Sequence, residues 1–556
     1  MKPLFGAVLA AGLFAALPAS AGQAQKHSVL IFVADGLRYV SVTAKSAPTL
    51  WRIKTQGVDF TNSHSLYPTI TTVNASAIAT GHYIGDTGNF GNAIYAGFGT
   101  PPVIGFEDDP TLGMMNDHFG GNYLNETSLL AAAREAGFAT AVMGKVGPTA
   151  IQDVTQRDGK GTIVLDDALN TDKGITIAPD VADAIKAAGL DTTAPKTDAP
   201  NDKQQQYMIA VATKVVLPKL AASGKPFAML YWSRDPDMSQ HVEKDSNGTL
   251  TPGINGPTGQ AGIKDADDTL SALLAWLKAN KLDTTTDVFV TADHGFSTID
   301  KRDASGADRP TGFLAADLGK ALDLPVAKGA AIGKDPQHPD VLVVPNGGSD
   351  LIYLFGSDTK ARASQVVDQL TKLDYISGVF VNDDLGDIPG SLPMSAINWR
   401  GTAVTPQPSM VVSFASHLIK GCKPELMCAA ETADTSLGTG QGMHGTFSRA
   451  DTRNFMAAIG PGFKNRFADK APVSNADINP TLASVLGLTI PARGGLKGRP
   501  IGEALKGGKA VAFTHARQVS AAAANGQKTV LDTQKVGNTG YFDAAGFPGR
   551  TVGLSH

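Results

Sequence analysis

The chain alternates between continuous apolar runs and amphipathic stretches. Ser28 to Ala34 (SVLIFVA), Phe227 to Trp232 (FAMLYW), Asp287 to Ala292 (DVFVTA) and Asn454 to Ile459 (NFMAAI) are apolar without a period of two. Runs of strand length without alternation predict strands buried on both faces. Ala139 to Met143 predicts another. Between them, Glu126–Ala136, Lys203–Ala222 and Lys264–Asn280 carry helical patterns. Strands alternating with helices predict an α/β fold, a mostly parallel central sheet flanked by helices. Two regions break the rhythm. Thr149 to Asn201 is polar, with scattered glycines and prolines. Asp300 to Gln441 has apolar runs of its own at Val341–Val344 and Leu351–Phe355. The second region is expected to be an inserted cap subdomain (300–441), dividing the main unit into 26–299 and 442–508. The segment 509–556 is expected to be a C-terminal extension ending in a hairpin.

Residues 1–21 read as an export signal rather than as fold. Met1-Lys2-Pro3 precedes an apolar run from Leu4 to Leu17, and Ala19-Ser20-Ala21 is a small-x-small cleavage site. A retained N-terminal anchor is the alternative. No later run is long enough to cross a bilayer, which needs about 18 or more apolar residues. The expectation is a periplasmic or secreted protein without a membrane span in the mature chain. The two cysteines, Cys422 and Cys428, would then pair as a local disulfide, free thiols or half of a metal site being the alternatives.

Composition narrows the function. Forty-eight basic against fifty-two acidic residues give a formal charge of −4, so a nucleic-acid-coating role is not expected. Hydrophobic residues make up 42% of 556 positions, enough for a large core.

The polar residues just beyond the predicted strands carry the chemistry. Open α/β sheets bind ligands outside the carboxyl ends of their strands. Asp35 follows the first run, Asp237 and His241 the second, and Asp293 and His294 the third. Each alone is ordinary turn chemistry. Together they offer the carboxylate and imidazole mixture that zinc accepts. Tyr67 to Gly81 predicts a turn and a short helix over Thr72–Ala79, with Thr71 at its start. A helix N-terminus favours negative charge. A hydroxyl there can be a metal-activated nucleophile or a plain N-cap.

Six ordered segments, VADGLR (33–38), PTLWRIKTQGVDFTNSHSLYPTITTVNASAIATG (48–81), RDPDMSQH (234–241), TADHGF (291–296), GMHGTF (442–447) and AAIGPGFK (457–464), give the chain a family likeness. It resembles the alkaline phosphatase superfamily, in its type I phosphodiesterase and nucleotide pyrophosphatase branch, from about His27 to Glu503 and excluding most of 300–441. The resemblance implies an alkaline-phosphatase-like fold and two zinc ions side by side. One would be bound by Asp35, Thr71, Asp293 and His294, the other by Asp237, His241 and His444. It implies that Thr71 becomes phosphorylated and that Asn92, in TGNFGN (87–92), holds a phosphate oxygen. His444 precedes its strand, so it reaches the same edge only if that strand is antiparallel or its loop doubles back.

The substrate implied is a small phosphate ester, a diester or nucleotide by family. Two departures keep other esters open. The branch often has an aromatic and then Pro-Asn-His after the nucleophile, where this chain has Thr72-Val73-Asn74-Ala75. Phe90, Tyr95, Phe98 or Tyr123 can stand in for that aromatic or simply pack. Lys145, in VMGKVG, can contact a doubly charged phosphomonoester or a phosphonate, or be a solvated surface lysine. Phosphomonoesterase or phosphonate hydrolase activity is thus an alternative. A binding protein that kept the fold without catalysis is a further one, and sulfate-ester hydrolysis a weaker one. The sequence is silent on oligomeric state.

Overall fold

The computed structural model describes residues 27–98, 103–243, 245, 256–328, 330–422 and 427–554. The export signal expected over 1–21 lies outside the described residues.

Eight strands form the central sheet. In chain order they are β1 (Ser28–Ala34), β2 (Val58–Phe60), β3 (Ala139–Gly144), β4 (Thr162–Asp166), β5 (Phe227–Ser233), β6 (Thr286–Thr291), β7 (Met456–Ile459) and β8 (Phe467–Asp469). Across the sheet they run β8-β2-β7-β6-β1-β5-β3-β4. All are co-directional except β7, which is antiparallel to both β6 and β2. The fold is therefore the mostly parallel α/β sandwich expected. The lack of alternation in β1 has a direct cause, because both faces are covered. Val29, Ile31 and Val33 enter one core with Val73, Ile78, Leu130, Ala133 and Leu482. Leu30, Phe32 and Ala34 enter the other, against the helices Asp202–Val211, Leu217–Ala222 and Pro257–Ala279.

Two regions are filled in by the structure. The polar stretch from Thr149 to Asn201, which breaks the sequence rhythm, supplies edge strand β4 and the helix Pro179–Ala187. A five-residue strand among turn residues gives almost no sequence signal. The tail is a three-stranded meander, Thr514–Val519, Val530–Val536 and Thr539–Gly546, rather than a single hairpin.

Residues 331–414 build a separate six-stranded sheet. Its first long hairpin pairs Val341–Asn346 with Ser349–Leu354, closing at Asn346↔Ser349. One face (Val341, Val343, Ile352, Val412) is covered by the helices Phe313–Leu322 and Thr359–Leu370. The other face (Leu342, Val344, Leu351, Tyr353) merges with the main core. Cys422 and Cys428 are joined as a disulfide with Cα atoms 5.9 Å apart. Among the described residues no helix is long and apolar enough to cross a membrane.

Candidate metal centre

The strands β1, β5 and β6 end at one edge, and the turns that follow them converge. Asp35 N donates to Ser233 O, and Asp237 N donates to Asp35 O, which ties the first two turns together. Gly36 N donates to Asp293 Oδ1 at 2.9 Å, which ties in the third. Gly36 has φ +68°, and a Cβ there would stand 3.0 Å from the Phe296 ring and 3.2 Å from Asp237 Cβ, so this turn needs glycine.

His444 arrives from the other direction. The strand after it, β7, is antiparallel to its neighbour β6, so a residue preceding β7 lies at the same edge as residues following β6. This is the first of the two routes open to it from sequence.

Asp35, Thr71, Lys145, Asp237, His241, Asp293, His294 and His444 are brought together at one edge of the sheet, with Asn92 beside Thr72. Asp35, Asp293 and His294 offer ligand atoms within 4.8 Å of one another, as do Asp237, His294 and His444. His241 stands beside the second group, its Nε2 3.1 Å from Asp237 Oδ1. His294 thus sits between the two groups, its ring stacked on His444 at 3.5 Å.

The donor set fits divalent cations. Each of the three imidazoles gives its Nδ1 to a backbone carbonyl: His241 to Gly442 O, His294 to Gly295 O and His444 to Thr69 O, at 2.8–2.9 Å. A carbonyl only accepts, so Nδ1 carries a proton and Nε2 faces the carboxylates, where it can ligate a cation once the ring is neutral. That is how metal-binding histidines are oriented. Asp35 Oδ1, Asp237 Oδ1 and Asp293 Oδ2 are buried and accept no hydrogen bond. Buried carboxylate oxygens without donors are costly unless a cation meets them.

The electrostatics agree. Burial, and then the Asp237 and Asp293 charges, push Asp35 well above the usual carboxylate range. Burial opposes ionisation of Asp237 too, but His241 and Lys145 outweigh it and hold it well below that range. Burial would depress His294, yet Asp293 and the other carboxylates lift it to about 9. Burial and then the His294 charge pull His444 well below an ordinary imidazole. The cluster is an acidic, water-poor pocket that favours positive charge.

Thr71 opens the helix Thr71–Thr80, in which every residue is buried. The residue at the cap position is Ile70, whose apolar side chain cannot cap. The N-cap reading of Thr71 therefore does not hold. Its Oγ1 faces the cluster instead, 3.3 Å from His294 Nε2 and 3.5 Å from Lys145 Nζ. Asn92 Oδ1 accepts Thr72 N–H at 3.0 Å, which leaves the Asn92 amide NH₂ beside the helix start. Thr72 Oγ1 donates to Gly91 O, so Thr72 also holds the Asn92 segment.

Lys145 is not a solvated surface lysine. It is 5% exposed, and its Nζ donates to Asp35 Oδ2 at 2.9 Å and Asp237 Oδ2 at 3.1 Å. Burial would lower its pKa, but the Asp237 and Asp35 charges raise it above the ordinary lysine range. Two neighbours escaped the sequence reading. Trp232 Nε1 donates to Asp35 Oδ2 at 2.7 Å. Arg234 makes a two-pronged pair with Asp167, whose Oδ1 also accepts Val146 N–H beside Lys145. Arg234 directly precedes Asp235-Pro236-Asp237 and Trp232 stands two residues before Arg234, so their adjacency to the site was available from sequence.

Of the aromatic candidates, Phe90 and Tyr123 are wholly buried packing residues, Phe90 against Trp399 and Tyr123 against Phe106. Tyr95 and Phe98 are half-buried. Tyr95 contacts Tyr353 and Phe355, and Phe98 stacks on His118.

A third acidic and histidine group, His82, Asp86 and Glu126, has a different character. Its carboxylates already accept backbone N–H groups from Thr402, Leu496, Arg493 and Gly494, and His82 Nδ1 is 2.8 Å from Asp86 Oδ2. It staples loops together.

The mostly parallel sheet, with acidic and histidine side chains gathered at one edge, is consistent with the alkaline-phosphatase-like class. The family model for type I phosphodiesterase / nucleotide pyrophosphatase matches residues 29–373, more than half of the chain. The chain belongs to this family, within the alkaline phosphatase superfamily, and is a phosphoric ester hydrolase. The matched span contains every candidate above except His444. No curated protein matches the chain.

Proposed function

We propose that this chain is an exported hydrolase of small phosphate esters that holds two zinc ions and works through a phosphothreonine at Thr71. The observation that carries this reading is the Thr71 hydroxyl, uncommitted to capping and aimed at a pocket of three unsatisfied carboxylate oxygens and three oriented imidazoles. Asp35, Thr71, Asp293 and His294 would hold one ion, and Asp237, His241 and His444 the other. When bound, such ions lower the pKa of an attacking hydroxyl and stabilise a leaving oxygen.

The chain's own residues supply the rest. Thr71 Oγ forms the bond to phosphorus as the ester P–O bond breaks, and the alcohol leaves. Water then cleaves the phosphothreonine and regenerates Thr71. The Asn92 amide, its Oδ1 fixed by Thr72 N, presents its NH₂ to a non-bridging oxygen, a donor set in place before the reaction. Lys145 Nζ lies beside the same hydroxyl and meets negative charge on the phosphoryl group.

The family points to diesters and nucleotides. The buried Lys145 favours a second reading, a phosphomonoesterase or phosphonate hydrolase, because these substrates carry one more negative charge than a diester. A secreted binding protein on the same fold is disfavoured by the complete donor set. We further read 26–299 with 442–508 as the catalytic unit, 300–441 as its inserted cap and 509–556 as an extension.

The test compares rates on an aryl phosphate monoester, an aryl phosphate diester, a nucleotide and phosphonoacetate. Thr71→Ala is expected to lose turnover on all that the wild type cleaves, with its metal retained. Turnover by Thr71→Ala at the wild-type rate would refute the covalent route.

A further inference from the structure

The hairpin of the inserted sheet closes with the turn Asn346-Gly347-Gly348-Ser349. On one side this turn meets the segment that carries Asn92. Asn346 Oδ1 accepts Ala93 N–H at 3.0 Å, and Asn346 Nδ2 donates back to Ala93 O at 3.0 Å. The same Nδ2 donates to Val344 O at 3.2 Å. Residue 91 is so close that a Cβ there would stand 2.5 Å from Asn346 Oδ1.

On the other side the turn meets the segment that carries His444. Gly348 N donates to His444 O at 2.9 Å, and Ser349 Oγ donates to Gly445 O. A Cβ on Gly348 would stand 2.5 Å from Thr446 N, so backbone lies directly on backbone. Asn346 is buried at the end of an otherwise apolar strand, Val341–Asn346. A buried amide is unfavourable unless its bonds are made, and these are made to the main chain next to Asn92.

We propose that Asn346 is a positioning residue for hydrolysis, the means by which the inserted subdomain fixes the Asn92 amide relative to His444. This rests on the hydrolase reading above. A two-way amide pairing with Ala93 holds the peptide next to Asn92 as a β-bridge would. Asn92 Oδ1 on Thr72 N then fixes the other end of the same residue. The subdomain is thus part of the site's frame.

The test is a double-mutant cycle in the full-length, zinc-loaded protein. It uses wild type, Asn346→Ala, Asn92→Ala and the double variant, with kcat, KM, inorganic phosphate affinity by calorimetry, zinc content and melting temperature measured for each. Misplacement by about 1 Å lowers rates on the order of 100-fold. Asn346→Ala is therefore expected to lower kcat roughly 10- to 100-fold and to weaken phosphate binding, with zinc content unchanged. In the Asn92→Ala background it should lower kcat little further, because residues that act through one another are not additive. Multiplicative losses would mark Asn346 as a structural staple only and overturn the inference, as would an unchanged kcat. Should Asn346→Ala fail to fold, Asn346→Ser takes its place in the cycle under the same criteria. A wild type inert toward every phosphate ester would sink the hydrolase reading and this inference together. An active wild type indifferent to position 346 sinks this inference alone.

Discussion

Replacing Lys145 by methionine separates the two classes of ester. The substitution keeps the length of the stem and removes the charge that lies 3.5 Å from Thr71 Oγ1. A unit charge pair near 4 Å is worth about 4 kcal/mol at the effective dielectric of about 20 that suits such sites. Part of this is offset by desolvation, and hydrogen bonds to charged groups retain about 1.5–3 kcal/mol. At about 1.4 kcal/mol per decade, that is roughly 10- to 150-fold in rate. The monoester bears the extra charge, so its kcat/KM should fall by that factor relative to a diester. The metals should stay, because the ammonium competes with them for Asp35 and Asp237. The assay is kcat/KM on paired aryl mono- and diesters at saturating zinc, with metal content measured alongside. Equal losses on both esters would show that Lys145 does not read the additional charge, and the second reading would fall.

Thr72→Ala removes the hydroxyl that holds Gly91 O, so it should lower kcat about tenfold by loosening the Asn92 segment. Steady-state kinetics beside Thr71→Ala would check this. His241→Ala should lower zinc content toward one ion per chain and kcat by orders of magnitude, since His241 faces Asp237 at the more open side of the cluster. Elemental analysis after dialysis reads this directly. A fourth prediction concerns the tail. Burial opposes ionisation of Asp543, but the hydrogen bond from His64 and the Arg449 charge outweigh it and bring it from 3.8 to about 2. A depressed carboxylate pKa gives stability that is present above about pH 4 and lost as pH falls toward 2. Asp543→Asn should therefore destabilise the protein by about 2 kcal/mol at pH 7 and match the wild type near pH 2. Melting curves across that range test the sign.

Much of the centre was legible because its candidate side chains follow buried strands within a few residues. SVLIFVA, FAMLYW and DVFVTA are continuous apolar runs since each strand is covered on both faces, and Asp35, Asp237 and Asp293 mark their ends. His444 was different. It precedes a strand, and nothing in a linear pattern shows that β7 runs antiparallel to β6. Only the family likeness singled it out. Thr71 was ambiguous between cap and nucleophile until the structure gave the cap position to Ile70. Lys145 reads as a surface residue in isolation, because its burial depends on two aspartates about 90 and 110 residues away. Asn346 had no signal, since its partner Ala93 is 253 positions distant and the pairing is to main-chain atoms. Edge strand β4 was lost for want of length.

The central claim is that Thr71 carries the phosphoryl group during turnover. Wild-type enzyme mixed with excess aryl phosphate, quenched in acid within the first turnovers and digested for mass spectrometry, tests it directly. The account predicts one phosphoryl group on the peptide containing Thr71, located to Thr71 rather than Thr72, absent from Thr71→Ala and chased away by dilution before the quench. Rapid product formation with no phosphorylated peptide, or with the label on another residue, would contradict it.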